Sequence, residues 1–170
     1  MESLKINKVQ IRNLQIEDYT QLSQSFKRVY SDGSDVFWTH KQIEKLIKIF
    51  PEGQIVTVVD EKIVGCALSI ILDYDKVKND HTYAQVTGKE TFDTHNPDGN
   101  ILYGIEVFIH PDYRGLRLAR RMYEYRKELC ETLNLKAIMF GGRIPNYHKY
   151  ADKIRPKEYI DKVRQKEIYD

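Results

Sequence analysis

The feature that most restricts the fold is a strand, a short polar turn, a helix and a second strand in direct succession. Residues 101–109 form a β-branched and aromatic run that predicts a strand, which His110-Pro111 ends. Residues 116–133 carry apolar side chains at the spacing of one helical face, and residues 136–140 predict the next strand. The apolar face of the helix consists of Leu118, Met122, Tyr125, Leu129 and Leu133. This run indicates a sheet with a helix packed on it.

The preceding elements complete a fold of the α/β (α+β) class. Strands are predicted at residues 9–14, 55–59 and 63–72, the last two as a hairpin. Helices are predicted at residues 16–30 and 39–50, and the second starts with a capping box formed by Thr39 and Gln42. Helices before the hairpin and a strand–helix–strand unit after it indicate a mixed central sheet with helices on both faces.

Composition and length place these elements in one cytoplasmic domain. We expect a single domain over residues 1–170, with a core at about 9–153 and a helical tail at 154–170. Two polar helical segments are predicted near the end, at roughly residues 146–153 and 156–168. Apolar residues make up 41% and charged residues 31%, which is a soluble globular balance. The N-terminus lacks an apolar signal region, and no apolar run approaches the ~20 residues that span a bilayer. Cys66 and Cys130 have no CxxC spacing and are predicted to be buried free thiols.

Four arginines surround the predicted start of the 116–133 helix. They are Arg114, Arg117, Arg120 and Arg121. A helix N-terminus already carries about half a positive elementary charge, and a cation there is unfavourable by ~0.3–1 kcal/mol. Backbone N–H groups and guanidinium groups both bind phosphate, so a bound anion would remove this conflict.

A second interpretation of the arginines stays open at this stage. They extend into solvent or pair with acidic neighbours such as Glu106, Asp112 and Glu124. Gly115 permits a tight turn and Ala119 keeps the next helical turn uncluttered, which favours the phosphate site. The segment is neither a Walker loop nor a Gly-x-Gly-x-x-Gly dinucleotide fingerprint.

This segment resembles motif A of the Gcn5-related N-acetyltransferases (GNAT). The matching residues are Ile109-His110-Pro111-Asp112-Tyr113-Arg114-Gly115-Leu116-Arg117-Leu118-Ala119. The motif fits Arg/Gln-x-x-Gly-x-Gly/Ala, with Arg114 at its first position and Ala119 at its last. Arg117 stands where the family has a glycine. The resemblance in element order covers about residues 9–153 and implies a splayed strand pair that admits the arm of CoA.

The resemblance also implies the cofactor and the residues that bind it. The cofactor would be acetyl-CoA or another short acyl-CoA, used for N-acyl transfer. Its diphosphate would be held by the backbone of Leu116, Arg117, Leu118, Ala119 and Arg120, with Arg114 and Gly115 at the turn. The pantetheine arm would lie along the backbone of Val107, Phe108 and Ile109.

Two further stretches, residues 102–107 and 141–153, resemble a subgroup of that family. In this subgroup the acetyltransferase domain precedes a carbon–nitrogen hydrolase (nitrilase-like) domain in one longer chain, and arginine at position 117 is a subgroup feature. The chain there continues past Asp170 into further strands, so this chain is expected to be a fragment, a trimmed piece or a stand-alone version. The implied protein partners are a carbon–nitrogen hydrolase domain or a second copy of the chain.

Acyl transfer to an amine needs a general base and an acid for the departing thiolate. Glu106 lies beside the predicted pantetheine path and is the first candidate base, and His110 shares its strand face by period-two alternation. His81 and His95, in the polar stretch 73–100, stay open as further candidates. The family resemblance implies a tyrosine after the splayed strand as the acid, either Tyr147 or Tyr150, with Tyr150 preferred. The five histidines show no ligand spacing, so no metal site is predicted.

The acceptor is expected to be a primary amine on a small molecule or peptide. Aspartates in the 73–100 stretch favour a cationic acceptor. One alternative function is a non-catalytic acyl-CoA-binding or regulatory module of a carbon–nitrogen hydrolase. Another is nucleic-acid binding, against which the net charge of +2 argues.

Overall fold

Five strands and six α-helices form the part of the chain that the computed structural model describes, residues 6–30 and 37–169. The strands are β1 Val9–Asn13, β2 Ile55–Val59, β3 Lys62–Leu72, β4 Ile101–Ile109 and β5 Ala137–Phe140. The helices are α1 Tyr19–Val29, α2 His40–Ile49, α3 Tyr74–Val77, α4 Tyr83–Val86, α5 Leu118–Thr132 and α6 Pro156–Arg164. The predicted strand 101–109 is confirmed at both ends, and the capping box at Thr39 and Gln42 is present.

The five strands form one mixed sheet in the order β1-β2-β3-β4-β5. The first four are antiparallel to their neighbours, whereas β4 and β5 run parallel because α5 crosses between them. The β2–β3 hairpin turns at Asp60 and Glu61, which both have positive φ, as a two-residue turn with the twist of the strands requires.

Strands β4 and β5 pair over only part of β4. Their register runs from Ile101 opposite Ala137 to Gly104 opposite Phe140, and β4 then continues to Ile109 without β5 beside it. The two strands therefore separate after Gly104, and the predicted splayed pair is confirmed.

Helices cover both faces of the sheet, as predicted. On one face α1 and α2 bury Leu22, Phe26, Ile43 and Leu46 in a core with side chains of β3 and β4. On the other face α5 buries Met122 and Cys130 against the sheet. Cys66 and Cys130 are both buried free thiols, which confirms the prediction for the cysteines.

Three predicted segments differ in the structure. The predicted helix 16–30 begins as a 3-10 turn at Ile16–Asp18 before α1, and α5 starts at Leu118 instead of residue 116. A helix expected at about residues 146–153 is only a 3-10 turn, Tyr147–Lys149, because no apolar stripe sustains it. The polar stretch 73–100, for which no helix or strand was predicted, contains α3 and α4.

Contacts divide the chain into two compact units, Met1–Phe140 and Gly141–Asp170. The first holds the whole sheet with α1 to α5. In the second, the rings of Tyr147 and Tyr150 lie 5.4 and 5.3 Å from the ring of Tyr159, which is fully buried. The expectation of one domain over 1–170 stays a prediction. None of the described helices is both long and apolar enough to span a lipid bilayer.

Candidate active site along strand β4

The arginine loop, residues 113–119, leads from β4 into α5. Leu118 is buried against Val59 and Val64 and anchors the start of α5 to the β2–β3 hairpin. Within the described residues, no acceptor takes the backbone N–H groups of residues 116–120, since the first bond of the helix is from Arg121 N to Arg117 O at 3.2 Å. Unpaired N–H groups at the start of a fifteen-residue helix are a general anion-binding arrangement.

Most of the arginines at this helix start have no anionic partner. Arg120 Nε lies 3.0 Å from Glu124 Oε1, which confirms the alternative interpretation for this one residue. In the portion of the chain that the structure describes, Arg114, Arg117 and Arg121 form no ion pair and are exposed. Three guanidinium groups therefore remain available to an external anion at the positive end of α5.

The conformation of the loop explains why glycine is usual at the position of Arg117. Arg117 is the N-cap of α5 and has φ 57° and ψ 22°, the left-handed region. Gly115 is also left-handed, with φ 83°. A non-glycine residue pays roughly 1–2 kcal/mol for this conformation. Arg117 adopts this left-handed conformation and adds a positive charge at the start of α5.

The outer edge of β4 has no described strand beside it where β4 and β5 separate. His110 N–H donates to Val64 O at 2.7 Å, toward β3. Because N–H groups alternate along an antiparallel strand, those of Val107 and Ile109 point to the opposite edge. Beyond Gly104, no described strand pairs with that edge. Val107, Phe108 and Ile109 thus lie where an extended chain can add to β4, and their role in binding a pantetheine arm stays a prediction.

A β-bulge in β4 sets the orientation of the candidate base. Leu68 faces Glu106 and Ser69 faces Gly104, so Ile105 is the extra residue. Its carbonyl accepts a hydrogen bond from Tyr83 Oη at 2.9 Å. Burial, reinforced by the negative charge of Glu106, raises the pKa of Tyr83. The tyrosine therefore stays protonated and fixes the bulge.

Glu106 is half-buried and held by hydroxyl and amide donors. Its Oε1 accepts hydrogen bonds from Tyr30 Oη at 3.2 Å and from the N–H of Val107 at 3.0 Å. The Val107 N–H is one of the outward donors of the open edge, so the carboxylate of Glu106 lies at the point where β4 leaves β5. This is the position expected of a base that receives a proton beside an extended ligand.

A histidine–tyrosine pair lies on the same side of β4. His81 Nδ1 is 3.1 Å from Asn79 O, and because a carbonyl only accepts, Nδ1 carries the proton. In the neutral ring Nε2 then accepts from Tyr103 Oη at 3.0 Å. Burial raises the pKa of Tyr103. The other loop histidine, His95, accepts from Ile71 N and stacks on Phe50, which is a structural role in the core.

His110 has a capping role at the end of β4. Its Nδ1 accepts from the N–H of Asp112 at 3.3 Å, and its ring packs edge-on against Tyr113. It also lines a pocket of about 810 Å³ between α1 and the β2–β3 hairpin. His110 is four positions after Glu106, which corresponds to about 13 Å along an extended chain. The two candidate bases therefore do not act on one atom.

The two candidate acids differ in their hydrogen bonds. Tyr147 Oη donates to Ile154 O at 2.9 Å, within the second unit. The hydroxyl of Tyr150 has no hydrogen bond to any described residue, and its ring packs on Tyr159. The described part of the chain holds no group of three or more His, Cys, Asp or Glu side chains that fits a metal ion.

Sequence reasoning missed Tyr30, Tyr83 and Tyr103. Strict alternation places Tyr103 and Glu106 on opposite faces of β4, because they are three residues apart. The bulge at Ile105 shifts the phase, so Tyr103, Ile105 and Phe108 belong to one core. The signal that could have indicated the bulge is Gly104, an isolated glycine directly before Ile105 inside the strand run 101–109.

The fold belongs to a class of protein in which a mixed sheet has two parallel strands that separate beside the open N-terminus of a helix. The model of the acetyltransferase (GNAT) family matches residues 10–151. The chain belongs to this family, as the sequence predicted.

Two relatives from Bacillus subtilis strain 168 show sequence similarity. The probable hydrolase YhcX is 37% identical over 163 residues, which cover 96% of this chain and 31% of the relative. The uncharacterized N-acetyltransferase YkwB is 32% identical over 126 residues, covering 74% of this chain and 56% of the relative. The chain thus spans about a third and about half of these relatives.

Solved structures confirm the fold. The loading GNATL domain of CurA from Lyngbya majuscula has a TM-score of 0.74 and 24% identity, over 91% of this chain and 74% of that one. The GNAT-like decarboxylase GphF, in complex with isobutyryl-CoA, has a TM-score of 0.67 and 16% identity, over 89% of this chain and 75% of that one.

Proposed function

We propose that this chain transfers an acyl group from acyl-CoA, with acetyl-CoA as the first candidate, to a primary amine that attacks directly in a ternary complex. The observation that carries the proposal is the open N-terminus of α5 beside the open edge of β4. Five successive backbone N–H groups, at residues 116–120, have no acceptor in the described protein, and three arginines nearby have no ion pair. A diphosphate would accept hydrogen bonds from these N–H groups and form ion pairs with these arginines.

The residues of the arginine loop would bind the diphosphate. Arg114 is exposed at the turn, and Gly115 supplies the left-handed conformation that directs the following N–H groups outward. Leu118 stays buried, so it contributes its backbone rather than its side chain. The open edge of β4 at residues 107–109 would pair with the amides of the pantetheine arm in the manner of an added strand.

Bound acyl-CoA supplies an activated acyl group and a thiolate leaving group. Glu106 would take the proton that the amine nitrogen loses as the new C–N bond forms and the C–S bond breaks. Its carboxylate is held by Tyr30 and by the N–H of Val107, which orients it toward the open edge. His110 is the weaker candidate, because its Nδ1 is already engaged by Asp112 N–H.

For the acid that protonates the thiolate, we keep the two tyrosines that the family resemblance implies, Tyr147 and Tyr150. Tyr150 is preferred over Tyr147, because the Tyr147 hydroxyl is committed to Ile154 O whereas that of Tyr150 is not. A hydroxyl that has no protein partner can donate to a ligand without first losing an existing hydrogen bond. The hydroxyl-rich side of β4, with Tyr103 and His81, would form the wall of the amine site.

The alternative function is a non-catalytic acyl-CoA-binding or regulatory module of a carbon–nitrogen hydrolase. The observation that favours it is the relationship to YhcX, a probable hydrolase of which this chain covers 31%. Such a module would keep the arginine loop and the open edge of β4 but would not need Glu106 as a base. The same relationship supports a carbon–nitrogen hydrolase domain as a partner.

Binding and turnover measured together test the proposal. We expect calorimetry to detect CoA and acetyl-CoA binding, and acetyl-CoA to release thiol when a panel of primary amines is added. Arg114→Glu should weaken binding by about 30-fold or more, because it replaces a charge-assisted contact with repulsion. Lys48→Glu is the matched control, because it also reverses a positive charge, on an exposed residue of α2. This variant should leave the affinity for acetyl-CoA unchanged. Binding without amine-dependent release supports the regulatory module, and absence of binding overturns both functions.

A further inference from the structure

Arg126, on α5, is a buried cation without a hydrogen-bonding partner. It is 2% exposed, and none of its three guanidinium nitrogens has a hydrogen-bond acceptor among the described residues. Its nearest aromatic contact is Tyr123, whose ring centroid lies 5.4 Å from Cζ. Burial lowers the pKa of Arg126, yet a guanidinium stays protonated in proteins. A buried charge without a counter-ion is costly, and such groups in native proteins usually serve a ligand or a partner.

The guanidinium of Arg126 lies where β4 and β5 separate. A Cβ built on Gly104 would be 2.5 Å from Arg126 Nη2 and 3.4 Å from the Cβ of Phe140. Gly104 and Phe140 are the last pair of the β4–β5 ladder. The absence of a side chain at Gly104 therefore makes the space that the guanidinium occupies, on the α5 face of the sheet.

The distance from Arg126 to the open edge of β4 suits a short chain. Gly104 faces Ser69 and Val107 faces Ala67, so the bulge makes three residues of β4 span only two residues of β3. That separation is about 7 Å along the strand. This distance can be spanned by a three- or four-carbon acyl chain that is attached near the Val107 N–H and ends in one hydrogen bond of about 2.8 Å.

We propose that Arg126 binds a carboxylate on the acyl group, so that the preferred donor is the CoA thioester of a short dicarboxylic acid, malonyl or succinyl in type. A carboxylate presents two oxygens to the planar fork of a guanidinium, which supplies the acceptors that Arg126 lacks within the described protein. The α5 face is also the face of the arginine loop, so the donor and its carboxylate lie on the same side of the sheet. This inference rests on the proposed function, since it assumes that an acyl-CoA occupies the edge of β4.

Calorimetry on the full chain with CoA, acetyl-CoA, malonyl-CoA and succinyl-CoA tests the inference. We expect at least one of the two dicarboxylic thioesters to bind tenfold or more tightly than acetyl-CoA, the scale of one buried charge-assisted contact. Arg126→Met should reduce this preference to less than twofold and leave the affinity for acetyl-CoA within threefold. Methionine is unbranched and apolar and removes a buried charge that has no counter-ion, so this variant should fold.

Lys127→Met is the matched control, since it removes an exposed cation from the next position of the same helix and should keep the preference. Gly104→Ala is a second test, because its Cβ would displace the guanidinium and should also reduce the preference. Equal affinity of the wild-type protein for all acyl-CoAs, or a preference that survives Arg126→Met, overturns the role of Arg126. Failure of CoA and acetyl-CoA to bind at all would instead contradict the proposed function.

Discussion

The two faces of strand β4 have opposite chemistry. Toward α1 the strand presents the carboxylate of Glu106 among the hydroxyls of Tyr30, Tyr83 and Tyr103. Toward α5 it meets the guanidinium of Arg126, which lies against Gly104 without an anion. A carboxylate is complementary to a cationic amine and a guanidinium to an anionic donor. Under the two proposals above, the acceptor would therefore lie on the α1 face and the carboxylate of the donor on the α5 face.

The two faces also differ in how complete they are. On the α1 face every polar group described above already has a protein partner, and the bulge at Ile105 is closed by Tyr83. On the α5 face, Arg126 and the N–H groups of residues 116–120 have no hydrogen-bond acceptor within the described protein. The polar groups of the α1 face are therefore satisfied within the protein, whereas those of the α5 face are the donors that the proposed acyl-CoA would use.

The largest expected effect comes from removing the charge on the α1 face. Glu106→Gln should lower amine-dependent thiol release by about 100-fold or more at neutral pH, the usual contribution of a general base. Affinity for acetyl-CoA should change less than threefold, because no donor contact is assigned to the carboxylate. Steady-state rates across pH 5–9 measure this, with calorimetry alongside.

The direction of the pH effect follows from the role of a base. The wild-type rate should fall as pH decreases, because a general base must be deprotonated and the attacking amine must be neutral. In Glu106→Gln only the dependence on the amine should remain, so the two pH–rate profiles should differ. A profile that is identical in both proteins would remove Glu106 as the base and leave His81 to be tested next.

A smaller effect is expected from the hydroxyl that closes the bulge. Tyr83→Phe leaves the carbonyl of Ile105 without its donor and should lower the free energy of unfolding by about 1–2 kcal/mol. Urea denaturation measures the change. Tyr74→Phe, on exposed α3, is the matched control and should change it by less than about 0.5 kcal/mol. Equal loss in both variants would show that the bulge does not depend on Tyr83.

The smallest expected effect lies in the arginine loop. Arg117→Gly should raise the free energy of unfolding by about 1 kcal/mol or less, since glycine adopts φ 57° without strain. Affinity for acetyl-CoA should weaken by roughly threefold to tenfold through loss of one guanidinium group. Thermal melting and calorimetry separate the two effects. A variant that is both more stable and equally tight would show that Arg117 has no contact with the donor.

The fold was predictable because its signals are local. The capping box of Thr39 and Gln42, the hairpin turn at Asp60 and the apolar run 101–109 each specify their element from neighbouring residues. The arginine loop was predictable for the same reason, since its charge, glycine and helix start are contiguous in the chain. The helix expected near residue 150 failed because a short polar segment lacks a buried face to sustain it.

The sequence by itself determined the order of the elements, the family resemblance and the positive charge at the start of α5. Only the tertiary structure decided which groups meet. Tyr30 reaches Glu106 across 76 residues, Tyr83 reaches Ile105 across 22, and Arg126 rests under Gly104. The physical reason is that a splayed edge and a buried unpaired charge arise from packing between segments that are distant in the chain. The pattern of neighbouring residues does not encode such contacts.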